Sequence, residues 1–99
     1  MSIREIVVFA VHSTVERGAV ERAAKRVQKF LADQPGYRGR ELYFDEANGR
    51  YVDIVIWDDM TCAKAGAEEA MRSPECAELF AMVRGDTVQM LHAQQVALA

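Results

Sequence analysis

Apolar residues follow two patterns along this chain, short continuous runs and stripes at helical spacing. The first pattern appears between Ile3 and His12, where Ile6 to Val11 form an unbroken apolar run rich in β-branched and aromatic residues. Such a run is typical of a strand that is buried on both faces. Ser13 and Thr14 follow the run, and either side chain can cap a helix.

The second pattern begins after Thr14, where apolar residues recur at intervals of three and four and charged residues occupy the opposite side. The predicted inward stripe consists of Val20, Ala23, Ala24, Val27, Phe30 and Leu31. This helix should end before Pro35-Gly36, because proline cannot continue a helix and glycine favours a turn.

The middle of the chain predicts a β-hairpin. Tyr37 to Phe44 has the composition of a second strand, and Tyr51 to Trp57 has that of a third. Asn48-Gly49 lies between them and is the strongest short-range signal for a hairpin turn in the sequence.

The two faces of the third strand differ in composition. Ile54 and Ile56 lie on a wholly aliphatic face, which suits packing against helices. Asp53 and Trp57 lie on the opposite, mixed face. We therefore expect the mixed face to look into a barrel interior, with Trp57 in the wall of a cavity between the sheet and the second helix.

The last third of the chain predicts two helical pieces and a strand. Asp58-Asp59 can cap a helix that runs through Met71, and Ser73-Pro74 supplies a cap and a favourable first residue for another. Gly85 should end that piece. The segment Thr87 to Leu98 alternates weakly but is long enough for a fourth strand.

The predicted order of strands and helices is βαββαβ, the ferredoxin-like arrangement, with a four-stranded antiparallel sheet and helices on one face only. We expect residues 1–99 to form a single α+β domain. The uncovered face would normally be polar, yet the first and third strands are apolar on both faces. A second copy packed face to face would cover it, so the sequence predicts a homodimer.

Composition narrows the possible partners and the compartment. The net charge is −3 and the basic residues form no stripe, which argues against nucleic acid. No apolar run approaches the roughly 20 residues that span a bilayer, so we expect a cytoplasmic protein without a membrane partner. Cys62 and Cys76 have no CxxC spacing and are predicted to be free thiols.

The segment Tyr51 to Phe80 resembles the antibiotic-biosynthesis-monooxygenase-like group of dimeric α+β barrels. In that group an acidic residue, a gap and a Trp close the third strand, a helix follows, and a Ser-Pro step opens a second helix. The corresponding residues here are Asp53, Trp57, Ser73, Pro74 and Phe80. Many members also carry a His shortly before the Ser-Pro and another directly after it, where this chain has Ala70 and Glu75.

The resemblance implies a cofactor-independent, monooxygenase-like enzyme acting on a small aromatic or polyketide-like compound, with no metal or flavin. The alternative is a non-catalytic dimer that binds a small apolar ligand or acts as an interaction module. A haem-binding variant is the third interpretation. Fold alone does not choose among them.

Two residues are candidates for catalysis. Trp57 could form an aromatic wall for a flat substrate and orient it through the indole N–H, although Trp is usually a core residue. His12 closes the predicted first strand and could act as an acid or base near neutral pH, although a lone His in a strand is more often structural. Neither histidine has neighbours at metal-ligand spacing, so no metal site is predicted.

Four further residues are candidates for substrate binding, namely Tyr43, Asp53, Phe80 and His92. Arg40 and Tyr43 have opposite facing parity on the second strand, so at most one of them can point into a shared cavity, and the aromatic residue is the better candidate. Cys76 has no neighbouring base and is predicted to be a packing residue.

Overall fold

The computed structural model describes residues Met1 to Ala99 and has the predicted element order. The strands are β1 (Ile3–Phe9), β2 (Tyr37–Asp45), β3 (Arg50–Trp57) and β4 (Gln89–Ala93). The helices are α1 (Arg17–Ala32), α2 (Met60–Ala70) and α3 (Pro74–Met82), and a 3₁₀ turn at Gly85–Thr87 precedes β4. The strands form one antiparallel sheet in the order β2-β3-β1-β4. The predicted ferredoxin-like fold class is confirmed.

Helix α1 buries the predicted stripe, because Val20, Ala23, Ala24, Val27, Phe30 and Leu31 are its buried residues. Its start differs from the prediction. The residue at the N-cap is Glu16, whose side chain makes no capping hydrogen bond, and Ser13 and Thr14 lie in the preceding turn. The cap prediction is wrong because β1 ends at Phe9 and the chain needs more residues to turn. No helix in the fold is both long enough and apolar enough to cross a membrane.

The face of β3 that packs on the helices is the mixed one. Tyr51, Val55 and Trp57 are buried in the core that includes α1, α2 and α3, whereas Ile54 and Ile56 lie half-buried on the opposite face. The prediction that Ile54 and Ile56 pack on the helices is therefore wrong. Alternation separates two faces but does not say which one meets the helices, and here the bulky aromatic rings fill the space beneath them.

The hairpin between β2 and β3 forms at the predicted turn. Gly49 has a φ of 63°, a left-handed conformation that glycine adopts without a steric cost. The Asp45 carboxylate accepts hydrogen bonds from the backbone N–H and the side-chain amide of Asn48, at 3.3 and 2.8 Å. These bonds hold β2 and β3 in register.

Both predicted caps in the last third of the chain are confirmed. The Asp59 carboxylate accepts a hydrogen bond from the Cys62 N–H at 2.8 Å at the start of α2. The Ser73 hydroxyl accepts one from the Glu75 N–H at 3.2 Å, and Pro74 occupies the first turn of α3. These caps fix where each helix leaves the end of the sheet.

Strand β4 is much shorter than the predicted Thr87 to Leu98. It pairs with β1 from Gln89 to Ala93, and the last pair is Arg4 with Ala93. In this register Ile3, the first residue of β1, faces Gln94, so residues 95–99 extend beyond the neighbouring strand. Val96 and Leu98 are accordingly exposed.

The sheet face without helices is apolar. Ile6, Val8, Val52, Ile54 and Ile56 lie on this face and are only half-buried, and Leu91 and Tyr43 on the outer strands are more than half exposed. We call these seven residues the open sheet face. An apolar surface of this kind usually marks an interaction site.

Cys62 and Cys76 are free thiols on different helices. We expect a reducing agent to leave the melting temperature unchanged, because no disulfide contributes to stability. Thiol titration after denaturation should find both cysteines reactive. A melting temperature that falls sharply with reductant would contradict this prediction.

Candidate functional site

A cavity of about 380 Å³ lies between the helical face of the sheet and the three helices. Sixteen of its nineteen lining residues are hydrophobic, so the cavity suits an apolar molecule. Gly66, Ala67 and Ala70 of helix α2 form one side of the cavity. The remaining lining residues that are not hydrophobic are two carboxylates, Glu5 and Asp53.

Trp57 forms part of the cavity wall at the end of β3. Its side chain is fully buried, and its ring packs edge-on to Tyr37 with centroids 6.2 Å apart. The edge of the indole lies against Gly66 of α2, so tightly that a Cβ atom there would meet Trp57 Cζ2 at 2.8 Å. The sequence predicted this location between the sheet and the second helix, but it placed Trp57 on a face that was expected to look into a barrel interior, whereas that face packs on the helices. The ring is at once a core residue and a wall of the cavity.

The Trp57 indole N–H has no hydrogen-bond partner and is buried. Leaving a buried donor without a partner costs about 1 to 3 kcal/mol, so native structures rarely do so without a reason. The role proposed for this group from the sequence, orienting a substrate, therefore requires the ring to shift when a ligand binds.

Asp53 faces the cavity from the middle of β3 and forms an ion pair with Arg40 of β2. The two distances are 2.8 Å from Arg40 Nε to Asp53 Oδ1 and 2.6 Å from Arg40 Nη2 to Asp53 Oδ2. Arg40 Nη1 also donates to the Ala24 carbonyl oxygen of α1 at 2.8 Å. The side chains of Arg40 and Asp53 are only 5% and 13% exposed, so this pair connects the sheet to α1 inside the protein.

Glu5 is the second carboxylate in the wall. It lies on β1 beside His92 of β4, and His92 Nε2 is 2.9 Å from Glu5 Oε2. The side chains of Glu5 and His92 are 12% and 24% exposed. Because a carboxylate only accepts hydrogen bonds, the imidazole N–H is the donor in this contact.

Phe80 and His92, both predicted to bind substrate, lie near the cavity in different ways. Phe80 of α3 lines it and is 44% exposed, which places the ring at the rim. Met71 and Met90 also line the cavity and are more exposed than Phe80, so the rim is apolar. His92 is outside the lining and reaches the site through Glu5.

Tyr43 does not point into the cavity. It lies on the open sheet face, its side chain is exposed, and its hydroxyl donates to Glu41 Oε2 at 3.0 Å. The hydrogen bond to the Glu41 carboxylate raises the pKa of Tyr43 above its usual value. The sequence correctly limited the choice to one of Arg40 and Tyr43, but the residue that faces the helices is Arg40.

His12 also lies away from the cavity. Strand β1 ends at Phe9, so His12 belongs to the exposed loop before α1 instead of closing the strand. Its backbone N–H donates to the Met82 carbonyl oxygen at 3.0 Å. His12 is absent from the residues that line the cavity, and this geometry gives it no contact with a ligand there.

The sequence also contained signals for the two site residues that we did not select. Glu5 has the same facing parity as Val7 and Phe9, so a carboxylate on the inner face of an apolar strand was visible from the pattern. Arg40 has the parity of Leu42 and Phe44 on β2. Both signals depended on knowing which face meets the helices.

The donor atoms around the cavity do not form a metal site. No three side chains of His, Cys, Asp or Glu come close enough together to hold an ion. Cys76 lines the cavity, but burial raises the pKa of its thiol, which disfavours a thiolate nucleophile or axial haem ligand. Neither histidine faces the cavity directly. The lining therefore fits an organic molecule better than a metal centre or haem.

Comparisons with known proteins identify the fold. No protein-family model and no curated protein sequence matches the chain. SnoaB, a cofactor-independent oxygenase from Streptomyces nogalater, superposes with a TM-score of 0.81 at 20% identity, over 98% of this chain and 95% of that chain. A protein from Bordetella bronchiseptica named "Putative antibiotic biosynthesis monooxygenase" gives a TM-score of 0.81 at 19% identity, over 97% and 98% of the two chains.

A third structure is described as a dimeric ferredoxin-like protein of unknown function, from Thermobifida fusca. It gives a TM-score of 0.75 at 18% identity, over 96% of this chain and 92% of that chain. At such low identity the likeness shows the fold and leaves the activity open. The resemblance inferred from Tyr51 to Phe80 is thus confirmed for the architecture, and the chain has the ferredoxin-like fold that these three structures share.

Proposed function

We propose that this protein is a homodimeric, cofactor-independent oxygenase that holds a small aromatic or polyketide-like compound in the cavity beneath its helices. The observation that carries the proposal is the combination of an apolar enclosure, an aromatic wall at Trp57 and two carboxylates on the sheet. A few convergent polar groups in an apolar pocket are typical of a small-molecule site. Two free thiols fit a reducing compartment, and we place the enzyme in the cytoplasm.

The chemistry proposed for this site uses electrons from the substrate itself. A ring methylene that reacts with dioxygen yields a carbonyl group and water, and this balance needs no further reductant. The protein would contribute an enclosure that excludes water and fixes the ring relative to dioxygen. SnoaB, described as a cofactor-independent oxygenase, has the same fold and supports this choice.

Oxygen uptake by the purified protein tests the proposal. Anthrone and hydroxylated anthrones, which carry the ring methylene that the reaction requires, would be added to metal-free protein, and an oxygen electrode would record consumption alongside the absorbance of the product. We expect at least one compound to be oxidised at a rate proportional to protein concentration, and no product to form under nitrogen. Equal rates with and without protein across the panel would contradict the proposal.

A homodimer is the assembly that the open sheet face favours. The side chains of this face, which include Ile6, Val8, Ile54 and Ile56, do not pack in the core that the helices form with the sheet. Structures with the same fold are described as dimeric. We infer that residues 1–99 act as one domain and that two copies pack through this face.

Sedimentation equilibrium tests the dimer. We expect a stable dimer at micromolar concentration that buries more than the roughly 1,200 Å² of a modest specific interface. Ile54→Asp should convert it to a monomer, because a charge would be placed in the apolar interface. As a control, Glu69→Lys on the exposed side of α2 should leave the assembly unchanged. A wild-type monomer under these conditions would disprove the proposed interface.

Trp57→Phe should preserve the folded dimer but weaken the binding of aromatic ligands. Phe retains much of the buried ring and removes the indole N–H that has no partner, so the stability loss should be below the roughly 3 to 5 kcal/mol of truncating a buried aromatic residue to Ala. Chemical denaturation and calorimetric titration measure the two effects. Unchanged binding together with a loss of several kcal/mol would assign Trp57 to the core alone.

A non-catalytic ligand-binding dimer is the second candidate function. It is favoured by the position of His12 outside the cavity and by Ala70 and Glu75, which replace the histidines common in the resembling group. The two functions differ in one result, because a binding protein would retain aromatic compounds without consuming oxygen. Titration with haem, followed by absorbance, would show in the same experiment whether haem binds.

A further inference from the structure

The polar groups exposed to the cavity are almost all hydrogen-bond acceptors. Glu5 and Asp53 are its only charged lining residues, and they lie on neighbouring strands. Glu5 lies opposite Val55 in the register of β1 and β3. Asp53 is two residues from Val55 along β3, so Asp53 and Glu5 are diagonal neighbours on the same face of the sheet. Diagonal neighbours in an antiparallel pair have Cα atoms roughly 7 to 8 Å apart, a distance comparable to the width of two fused rings.

The two carboxylates differ in how much of their accepting capacity the protein uses. Both oxygens of Asp53 receive N–H groups from Arg40. The contact of Glu5 with His92 engages Oε2, and no hydrogen bond within the chain engages Oε1, so Oε1 can accept one from a ligand. A carboxylate has about four lone-pair positions and tolerates such additional donors.

The cavity has few hydrogen-bond donors that are free to contact a ligand. The cationic side chain of Arg40 directs its N–H groups at Asp53 and at the Ala24 carbonyl oxygen, and the His92 N–H is directed at Glu5. The indole N–H of Trp57 has no partner but is fully buried, so a ligand does not reach it unless the ring moves. An anionic ligand would therefore meet carboxylates without a free donor, in an apolar enclosure that strengthens the repulsion.

We propose that the cavity selects neutral aromatic molecules whose O–H groups donate to Glu5, and that it excludes aromatic carboxylates. This inference deepens the proposed function, since it names the chemical class of the ligand and the residue that recognises it. His92 acts as a positioning residue that holds the Glu5 carboxylate against the sheet. The apolar walls contribute affinity for the aromatic rings, and Glu5 contributes specificity for the ring substituent.

Three probes on one ring system test the proposal, namely naphthalene, 2-naphthol and 2-naphthoate. Calorimetry gives the affinities, and the fluorescence of Trp57, the only Trp in the chain, reports occupancy of the cavity. We expect wild-type protein to bind 2-naphthol at least about tenfold more tightly than 2-naphthoate, as a charge-assisted hydrogen bond and like-charge repulsion require.

Glu5→Gln removes the charge while keeping the size of the side chain. The preference for 2-naphthol over 2-naphthoate should fall by about tenfold, while the affinity for naphthalene stays unchanged. Glu68→Gln is the matched control, because Glu68 is exposed on α2 and is not among the residues that line the cavity. It should retain the wild-type preference. If Glu5→Gln does not fold, the wild-type preference alone still tests the inference.

Several results would overturn the inference: wild-type protein that binds 2-naphthoate as tightly as 2-naphthol, a preference that Glu5→Gln leaves unchanged, or no binding of any probe at millimolar concentration. Its failure can be distinguished from that of the oxygenase proposal. Selective binding of 2-naphthol without oxygen uptake would support recognition by Glu5 and contradict the oxygenase proposal. Oxygen uptake together with an unchanged preference in Glu5→Gln would contradict recognition by Glu5 and support the oxygenase proposal.

Discussion

Replacing Arg40 by Ala is expected to lower the free energy of unfolding by about 3 to 5 kcal/mol, the usual cost of breaking a buried ion pair from one side. The loss is large because the Asp53 carboxylate and the Ala24 carbonyl oxygen would both lose their donors inside the protein. Urea denaturation followed by circular dichroism measures the change. The expected effect links the packing of α1 on the sheet to the carboxylate that faces the cavity.

Arg38→Ala on the same strand is the matched control. Arg38 also pairs with an aspartate, Asp58, but its side chain is 63% exposed, so the loss should be below about 1 kcal/mol. A second test replaces both buried partners, as Arg40→Met with Asp53→Leu, which should recover much of the stability because no charge is left unpaired. Equal losses in Arg38→Ala and Arg40→Ala would show that burial does not govern the contribution of the inner pair.

Gly66→Ala is expected to destabilise the protein by about 1 to 3 kcal/mol through overpacking. In an exposed helix interior the same change would be favourable by up to about 1 kcal/mol, because alanine has the higher helix propensity. At Gly66 the sign reverses, since the added Cβ would lie 2.8 Å from Trp57 Cζ2 and the indole would have to move. Thermal and urea denaturation both report the change.

Two variants separate packing from helix propensity. Gly18→Ala places the new Cβ in α1, 3.3 Å from the flexible end of the Arg22 side chain, and should be neutral or stabilising. Trp57→Phe combined with Gly66→Ala should cost less than the sum of the single changes, because the smaller ring makes room for the methyl group. Additive losses would mean that Gly66 and Trp57 do not interact as the structure indicates.

The lining of the cavity shows how this chain differs from the group that it resembles, in which many members have histidines near the Ser-Pro step. Ala70 occupies one of the positions where many of its members have a histidine, and here this residue contributes a small apolar patch to the wall. The charged side chains near the cavity are instead carried by the sheet, in the pairs of Glu5 with His92 and Asp53 with Arg40. Any chemistry in this protein would therefore depend on groups held by the strands.

Much of the fold could be predicted because the local signals agree with one another. The six inward residues of α1, the Asn48-Gly49 turn and the caps at Asp59 and Ser73 all depend on spacing and short-range hydrogen bonds. Those interactions involve residues close in sequence, so the sequence contains nearly everything they require. The apolar character of both sheet faces was likewise visible, and with it the expectation of a partner.

The tertiary structure decided which groups meet in the cavity. Both faces of β3 are apolar enough to be buried, so the pattern could not show that Trp57 and Asp53 face the helices or that Tyr43 faces away. The length of β4 was set by where β1 begins, which is a property of pairing between strands far apart in the sequence. Spacing along the chain determined the elements, whereas the site depended on the packing of one sheet face, because only packing brings Glu5, Asp53 and their partners to a single wall.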